Sequence, residues 1–136
     1  MIAFLKGKLV LLEPTQVIVE VNGVGYQLQI SLQTFSEIKE KENIMLHTHL
    51  AIREDAHVLY GFSNEAEKKL FQQLISVNGV GPSTAIVMLS YMNSHELKSA
   101  IIREDAAALQ MIKGIGGKTA LRVIIDLKDK LKKESW

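Results

Sequence analysis

The chain contains one short phrase twice: Val77-Asn78-Gly79-Val80-Gly81-Pro82-Ser83-Thr84-Ala85 recurs as Ile112-Lys113-Gly114-Ile115-Gly116-Gly117-Lys118-Thr119-Ala120. Every matched position is displaced by 35 residues. Both copies read apolar, any residue, Gly, apolar, Gly, three residues, Ala, and apolar residues at helical spacing flank each copy. The sequence therefore predicts two helix–turn–helix units of one design.

Each residue type in the repeat has a physical role. Two glycines around one apolar residue let the backbone turn sharply where a Cβ would clash. We expect the intervening Val80 or Ile115 to fill the gap between the flanking helices, and Ala85 and Ala120 to let two helices cross closely. The helix that leaves each turn then begins with free backbone N–H groups, which suit an anion.

This pattern resembles the helix-hairpin-helix motif, whose family role is to hold a DNA backbone phosphate without reading bases. The resemblance assigns DNA contact to two sets of residues, Gly79, Val80, Gly81, Ser83 and Thr84, and Gly114, Ile115, Gly116, Gly117, Lys118, Thr119 and Arg122. Other glycine-rich sites fit poorly. A phosphate loop needs Gly where Ile112 stands, and a dinucleotide fingerprint needs a third Gly after a strand.

The composition is that of an ordinary globular chain of 136 residues, 47% of them apolar and 23% charged. The absence of cysteine excludes disulfide and thiolate–metal frameworks and fits a reducing cytoplasm. No apolar run reaches membrane-spanning length, so we expect a cytoplasmic protein with no membrane partner. Residues 1–62 hold five basic and seven acidic side chains, and residues 63–136 hold eleven and eight. The hairpins therefore lie in the more basic half.

The first half of the chain reads as five strands, at residues 2–12, 15–21, 24–31, 44–52 and 58–62, with a short helix at 32–38. This order predicts a small closed β-barrel of the OB kind over residues 1–62. From Ser63 the apolar period becomes helical. Ser63 or Asn64 is expected to cap a helix whose first turn carries Glu65 and Glu67. We predict a helical domain over residues 63–136, with a linking helix that begins near Ser94 and a last helix over 118–133.

Two polar clusters stand out in the barrel half. His47 and His49 lie two apart on the fourth strand and could face one way, but no third ligand is in view, so we predict no metal site. Arg53-Glu54-Asp55-Ala56 lies between the last two strands. Its paired carboxylates suit either a solvated hairpin tip or acid/base and metal chemistry. No other acidic residue can be placed beside them from sequence.

The barrel, the acidic tip and the tandem hairpins together resemble the RuvA family of bacterial Holliday-junction-recognition proteins. Besides the hairpins, the resemblance is carried by Asn22-Gly23-Val24-Gly25-Tyr26 and by Arg53-Glu54-Asp55-Ala56 with Leu59-Tyr60-Gly61-Phe62. It extends over essentially all of the chain. It implies a homotetramer, or an octamer of two tetramers, that holds an open four-way DNA junction, with Glu54 and Asp55 as an acidic pin at the crossover.

The same resemblance implies a role in DNA recombination, DNA repair and the SOS response to DNA damage, with no catalytic site, metal or cofactor. It implies an ATP-driven RuvB motor and the RuvC resolvase as partners. The family normally continues into a third, motor-binding domain. Because this chain stops at Trp136, we expect that domain to be absent.

Two departures from the family pattern bear on phosphate binding, since Ser83 and Gly117 stand where members often place lysines. The strength of the grip is therefore left open. An alternative interpretation is a DNA-processing nuclease or glycosylase that uses the hairpins as a clamp, with Glu54 and Asp55 catalytic. Another is a single-strand-binding barrel, which would need exposed stacking aromatics. We predict the junction-binding scaffold.

Overall fold

The computed structural model describes residues 1–134 and divides the chain into two compact units, Met1–Lys68 and a second unit that begins at Lys69. The elements of the first unit are β1 (Phe4–Glu13), β2 (Gln16–Val21), β3 (Val24–Gln29), α1 (Leu32–Ile38), β4 (Asn43–Ile52) and β5 (His57–Phe62). The helices that follow are α2 (Glu65–Ile75), α3 (Pro82–Tyr91), α4 (Ser94–Ile102), α5 (Ala106–Gln110) and α6 (Gly117–Glu134). The division falls inside α2, after its first turn.

The five strands form a closed barrel in the order β1-β2-β3-β5-β4. Neighbouring strands are antiparallel except β3 and β5, which meet in parallel at Gln29 and Tyr60. Alternation along the strands fills the interior, since Leu28 is fully buried while Gln27 beside it is exposed. The core consists of Leu5, Val17, Val19, Leu28, Ile30, Ile38, Ile44 and Leu46. The predicted five-stranded barrel of the OB kind is confirmed.

The turn between β2 and β3 fixes the register of that hairpin. Asn22 and Gly23 both have positive φ, at 50° and 88°, which is the conformation of a type I′ turn. Val21 consequently pairs with Val24 across the two-residue loop. The predicted hairpin turn is confirmed.

A buried polar cluster joins α1 to the first turn of α2 within the first unit. Ser31 caps α1 by accepting from the Thr34 N–H, and its hydroxyl donates to Glu67 Oε2 at 2.8 Å. The Thr34 hydroxyl donates to Glu67 Oε1 at 2.5 Å. Asn64, one of the two predicted caps of α2, accepts from the Glu67 N–H at 2.8 Å. Only 2% of Glu67 is exposed, and burial raises the pKa of its carboxyl group against the two hydroxyl hydrogen bonds that lower it.

The connections between the helices of the second unit are defined by their caps. Asn93 caps α4 and forms a capping box with Glu96, so the cap lies one residue before the start predicted at Ser94. Asp105 caps α5. Glu104 before it adopts a φ of 57°, a left-handed conformation in which glycine is usual. The two caps fix where α4 and α5 begin, and both helices pack against α6.

The last helix, α6, is 18 residues long and amphipathic. Its buried face consists of Ala120, Val123, Ile124, Leu127 and Leu131, and charged residues occupy much of the opposite face. Such a helix packs its apolar stripe on a protein core. Among residues 1–134, no helix combines the length and the apolar character needed to cross a bilayer.

Candidate nucleic-acid interface

The two hairpins, defined as residues 77–85 (the first hairpin) and 112–120 (the second hairpin), share one hydrogen-bond pattern. Three backbone N–H groups in each donate to carbonyl oxygens 3.0 or 3.1 Å away: Val77 to Leu74, Val80 to Val77 and Ala85 to Gly81, then Ile112 to Leu109, Ile115 to Ile112 and Ala120 to Gly116. Donors and acceptors are all displaced by 35 residues. The repeat in sequence is therefore a repeat in backbone structure.

The first glycine of each hairpin is required by its conformation. Gly79 has a φ of 93° and Gly114 a φ of 89°. Each is the third residue of a β-turn closed by the Val80 or Ile115 N–H, where a type II turn needs a positive φ. The expected sharp turn is confirmed at these two positions.

The second glycine of each hairpin is not required by its backbone conformation. Gly81 has a φ of −89° and a ψ of 173°, an extended conformation that any residue adopts. A Cβ added at Gly81 or at Gly116 would meet no atom within 4 Å. The expectation that a Cβ would clash inside the protein is wrong for this pair. Because these two residues have no side chain, the backbone beside the start of the outgoing helix is open.

The apolar residues between the glycines pack into the protein. Val80 is 4% exposed and Ile115 is 6% exposed, while Ala85 and Ala120 are fully buried. Their burial agrees with the predicted packing roles. Because the Val80 and Ile115 N–H groups close the turns, these two residues shape the backbone and have no free donor for a ligand.

The outgoing helices begin with uncapped N–H groups. Gly81 is the N-cap of α3 and makes no side-chain cap, and Pro82 occupies the first turn. Within residues 1–134, the N–H groups of Ser83 and Thr84 have no acceptor, as the first turn of a helix dictates. The corresponding start of α6 consists of Gly117, Lys118 and Thr119. Two helix N-termini, each carrying partial positive charge, therefore present donors to an anion.

Two cations lie at these helix starts. Lys118 is exposed in the first turn of α6. Arg122 is also exposed on α6, but its Nη1 lies 3.3 Å from where a Cβ on Gly79 would be, so its guanidinium rests against the turn of the first hairpin. Among residues 1–134 neither cation forms an ion pair. The sequence identified Arg122 as a candidate, but spacing alone gave no signal that it reaches the other hairpin.

The predicted acidic pin lies in the first unit, at the tip of the β4–β5 hairpin. The Arg53 N–H donates to the Ala56 carbonyl at 2.8 Å, which closes the turn around Glu54 and Asp55. Both carboxylates are exposed. In the part of the chain that the structure describes, neither forms an ion pair or a side-chain hydrogen bond. Neither carboxylate is therefore neutralised by an ion pair within residues 1–134.

The two histidines of β4, His47 and His49, each lie near a charged side chain of the first unit. His47 Nδ1 lies 3.8 Å from Glu65 Oε1. Burial, and then the nearby Lys68, hold the pKa of His49 below its ordinary value. Within residues 1–134, no three His, Asp or Glu side chains are grouped so that they could hold a metal ion.

Comparison with known proteins finds a family match for the barrel and another for the two hairpins. The family described as "RuvA N terminal domain" matches residues 1–61, and the "SAM-like Helix-hairpin-helix tandem" matches residues 71–129. The chain is 53% identical over 135 residues to the "Holliday junction branch migration complex subunit RuvA" of Cytophaga hutchinsonii, which covers 99% of this chain and 68% of that relative. The chain belongs to the RuvA family.

Other RuvA proteins match over the same span. The subunit of Bacteroides thetaiotaomicron is 49% identical, covering 97% of this chain and 66% of its own length. That of Pseudomonas putida is 43% identical, covering 97% and 65%. Both carry the same name, subunit RuvA of a Holliday junction branch migration complex. The match to the RuvA family therefore extends through the barrel, the acidic tip and both hairpins.

Proposed function

We propose that this chain binds four-way (Holliday) DNA junctions as a non-catalytic, DNA-binding subunit of a branch-migration complex in recombination and repair. The observation that carries the proposal is the pair of hairpins with one hydrogen-bond pattern, each leaving N–H groups open at a helix start. Relatives about 50% identical, named as branch-migration subunits, support the junction as the ligand.

Backbone phosphates are the groups that the hairpins hold in this proposal. Among residues 1–134, N–H groups without a protein acceptor at the two helix starts are the proposed donors, and they belong to Gly81, Ser83, Thr84, Gly116, Gly117, Lys118 and Thr119. Gly79, Val80, Gly114 and Ile115 shape the turns that present them. Because phosphate contacts position DNA without reading bases, binding is independent of sequence. Because each neutralised phosphate releases counterions, binding weakens as salt rises.

The acidic pin gives preference for the junction. In a tetramer, four copies of Glu54 and Asp55 would surround the point where strands cross. Each close approach of a carboxylate to a phosphate costs on the order of 1 kcal/mol at about 4 Å in water. Repulsion keeps the crossover open and directs strands outward. The pin therefore acts on the choice between junction and duplex more than on overall affinity.

Assembly and partners follow the family in this proposal. The barrel domain, residues 1–62, forms a homotetramer or a double tetramer, and the hairpin domain, residues 63–136, grips the arms. RuvB and RuvC are the proposed protein partners in the cytoplasm. Phosphate capture by amides needs no cofactor.

The proposal is tested by fluorescence anisotropy with a labelled four-way junction and a linear duplex of the same arm sequence. We expect tighter binding of the junction, and equal affinity for two junctions with unrelated arm sequences. Equal binding of junction and duplex would count against the proposal. In the same samples, Mg²⁺-dependent strand cleavage or base release, seen on a denaturing gel, would favour the alternative of a nuclease or glycosylase with Glu54 and Asp55 catalytic.

A further inference from the structure

The two hairpins are alike in backbone but unlike in charge. Residues 77–85 include no charged side chain, whereas residues 112–120 include Lys113 and Lys118. A phosphate at the second hairpin therefore has cations of the same hairpin beside it. A phosphate at the first hairpin would have only amides and the helix dipole from its own segment.

Arg122 lies where it can supply the positive charge that the first hairpin lacks. It lies on α6, the helix that leaves the second hairpin, yet its Nη1 is 3.3 Å from the Cβ position of Gly79 in the first hairpin. Gly79 is two residues before Gly81, whose backbone is open. Within residues 1–134, Arg122 has no acidic partner and no side-chain hydrogen bond, so its five donors are available.

The arrangement has no charged counterpart at the second hairpin. The residue 35 positions before Arg122 is Val87, which carries no charge. A Cβ at Gly114, the counterpart of Gly79, would meet no atom within 4 Å. Of these two matched positions, 87 and 122, only Arg122 therefore brings a charge to the other hairpin.

We propose that Arg122 belongs to the phosphate site of the first hairpin, so that one phosphate is held jointly by that hairpin's amides and by a guanidinium from the other hairpin's helix. The inference rests on the proposed function of the two hairpins. A guanidinium suits this role because its fork of donors matches two phosphate oxygens at once. The second hairpin uses its own Lys118 instead. The two phosphate sites are thus unequal, and the first depends on α6.

A double-mutant cycle tests the assignment, because residues that hold the same phosphate give non-additive losses. The variants are Arg122→Gln, Gly81→Ala and Gly116→Ala, each alone and in pairs, with a fluorescein-labelled four-way junction as the probe. Arg122 is exposed and both glycine positions have open space for a Cβ, so folded variants are expected. Thermal unfolding of each variant checks this.

We expect each single substitution to weaken junction binding by about tenfold to a hundredfold, the effect of one charge-assisted hydrogen bond. Arg122→Gln should add less than about twofold in the Gly81→Ala background and its full factor in the Gly116→Ala background. Lys118→Gln is the matched control, and it should show the reverse pairing. Arg122→Gln should also reduce the log–log salt slope by about 0.9.

Coupling of Arg122 to Gly116, or additivity with both glycines, would overturn the assignment while leaving the hairpins as the DNA grip. If Gly81→Ala and Gly116→Ala each leave junction binding unchanged, the proposed function itself fails, and the assignment of Arg122 fails with it. The two failures are therefore distinguishable in one set of measurements.

Discussion

At the scale of single residues, the four glycines at matched positions of the two hairpins separate into two kinds. Gly79 and Gly114 are fixed by positive φ, so any side chain there strains the backbone. Gly81 and Gly116 have ordinary conformation or open space, so nothing inside the protein requires glycine. We propose that glycine at the second pair serves a ligand that approaches the backbone from outside. Substitution of the first pair should therefore lower stability, whereas substitution of the second pair should weaken DNA binding without lowering stability.

Alanine at each glycine tests this separation. Gly79→Ala and Gly114→Ala should lower the free energy of unfolding by roughly 1–2 kcal/mol, the cost of a left-handed non-glycine residue. Gly81→Ala and Gly116→Ala should leave it unchanged or raise it by up to about 1 kcal/mol, because alanine restricts the unfolded chain. Only the latter pair should weaken DNA binding without a loss of stability. Urea denaturation and junction binding on the same samples check both, and a stability loss at Gly81 equal to that at Gly79 would refute the distinction.

At the scale of elements, the junction of α1 with α2 contains a carboxylate that the sequence did not reveal as buried. Glu67 reads as an ordinary acidic residue in a first helical turn. The structure instead places it between Ser31 and Thr34, which lie 36 and 33 residues earlier. Burial raises the pKa of its carboxyl group most, and the nearby Glu37 raises it further. The protonated form is therefore favoured by folding.

This shift gives a stability that depends on pH with a definite sign. Because the pKa of Glu67 is higher in the folded chain than its ordinary value of 4.5, the stabilisation is complete below 4.5 and is lost as pH rises through the folded pKa. Glu67→Gln should remove this fall and keep partners for both hydroxyls. Urea denaturation from about pH 4.5 to 7.5 measures the difference, with Glu20→Gln, an exposed carboxylate, as the control. If the free energy of unfolding varied with pH in parallel for wild type and Glu67→Gln, the predicted contribution of Glu67 would be refuted.

At the scale of the whole molecule, the acidic pin is predicted to set the preference for junctions. Glu54→Gln with Asp55→Asn should tighten binding to all DNA, because it removes repulsion of phosphates, and should reduce the ratio of junction to duplex affinity. Glu40→Gln with Glu42→Gln removes the same charge from another exposed loop of the first unit and is the control. Anisotropy at matched salt measures both ratios. An unchanged ratio in the pin variant would return Glu54 and Asp55 to a solvated hairpin tip.

The barrel and both hairpins could be predicted from sequence because local signals determine them. Alternation, the Asn22-Gly23 turn and the glycine pattern inside each hairpin are all short-range signals. The positions of Glu67 and Arg122 could not be predicted, since each depends on contact with a residue more than 30 positions away. The predicted start of α4 near Ser94 is confirmed, but the sequence did not single out Asn93, the residue that caps it. Glu104 gave no sign of its left-handed conformation, which glycine normally adopts.

We propose that open backbone at the two helix starts holds DNA phosphates without reading bases, and this proposal has a direct test. It is tested most directly by the salt dependence of junction affinity, measured for two unrelated arm sequences with wild type and with Gly81→Ala/Gly116→Ala. We predict coincident lines of log affinity against log salt for the two sequences, with a slope of about −0.9 for each phosphate neutralised, and a weaker, shallower line for the double variant. Affinity that differs between the two sequences, or a double variant that binds as wild type does, would contradict the claim.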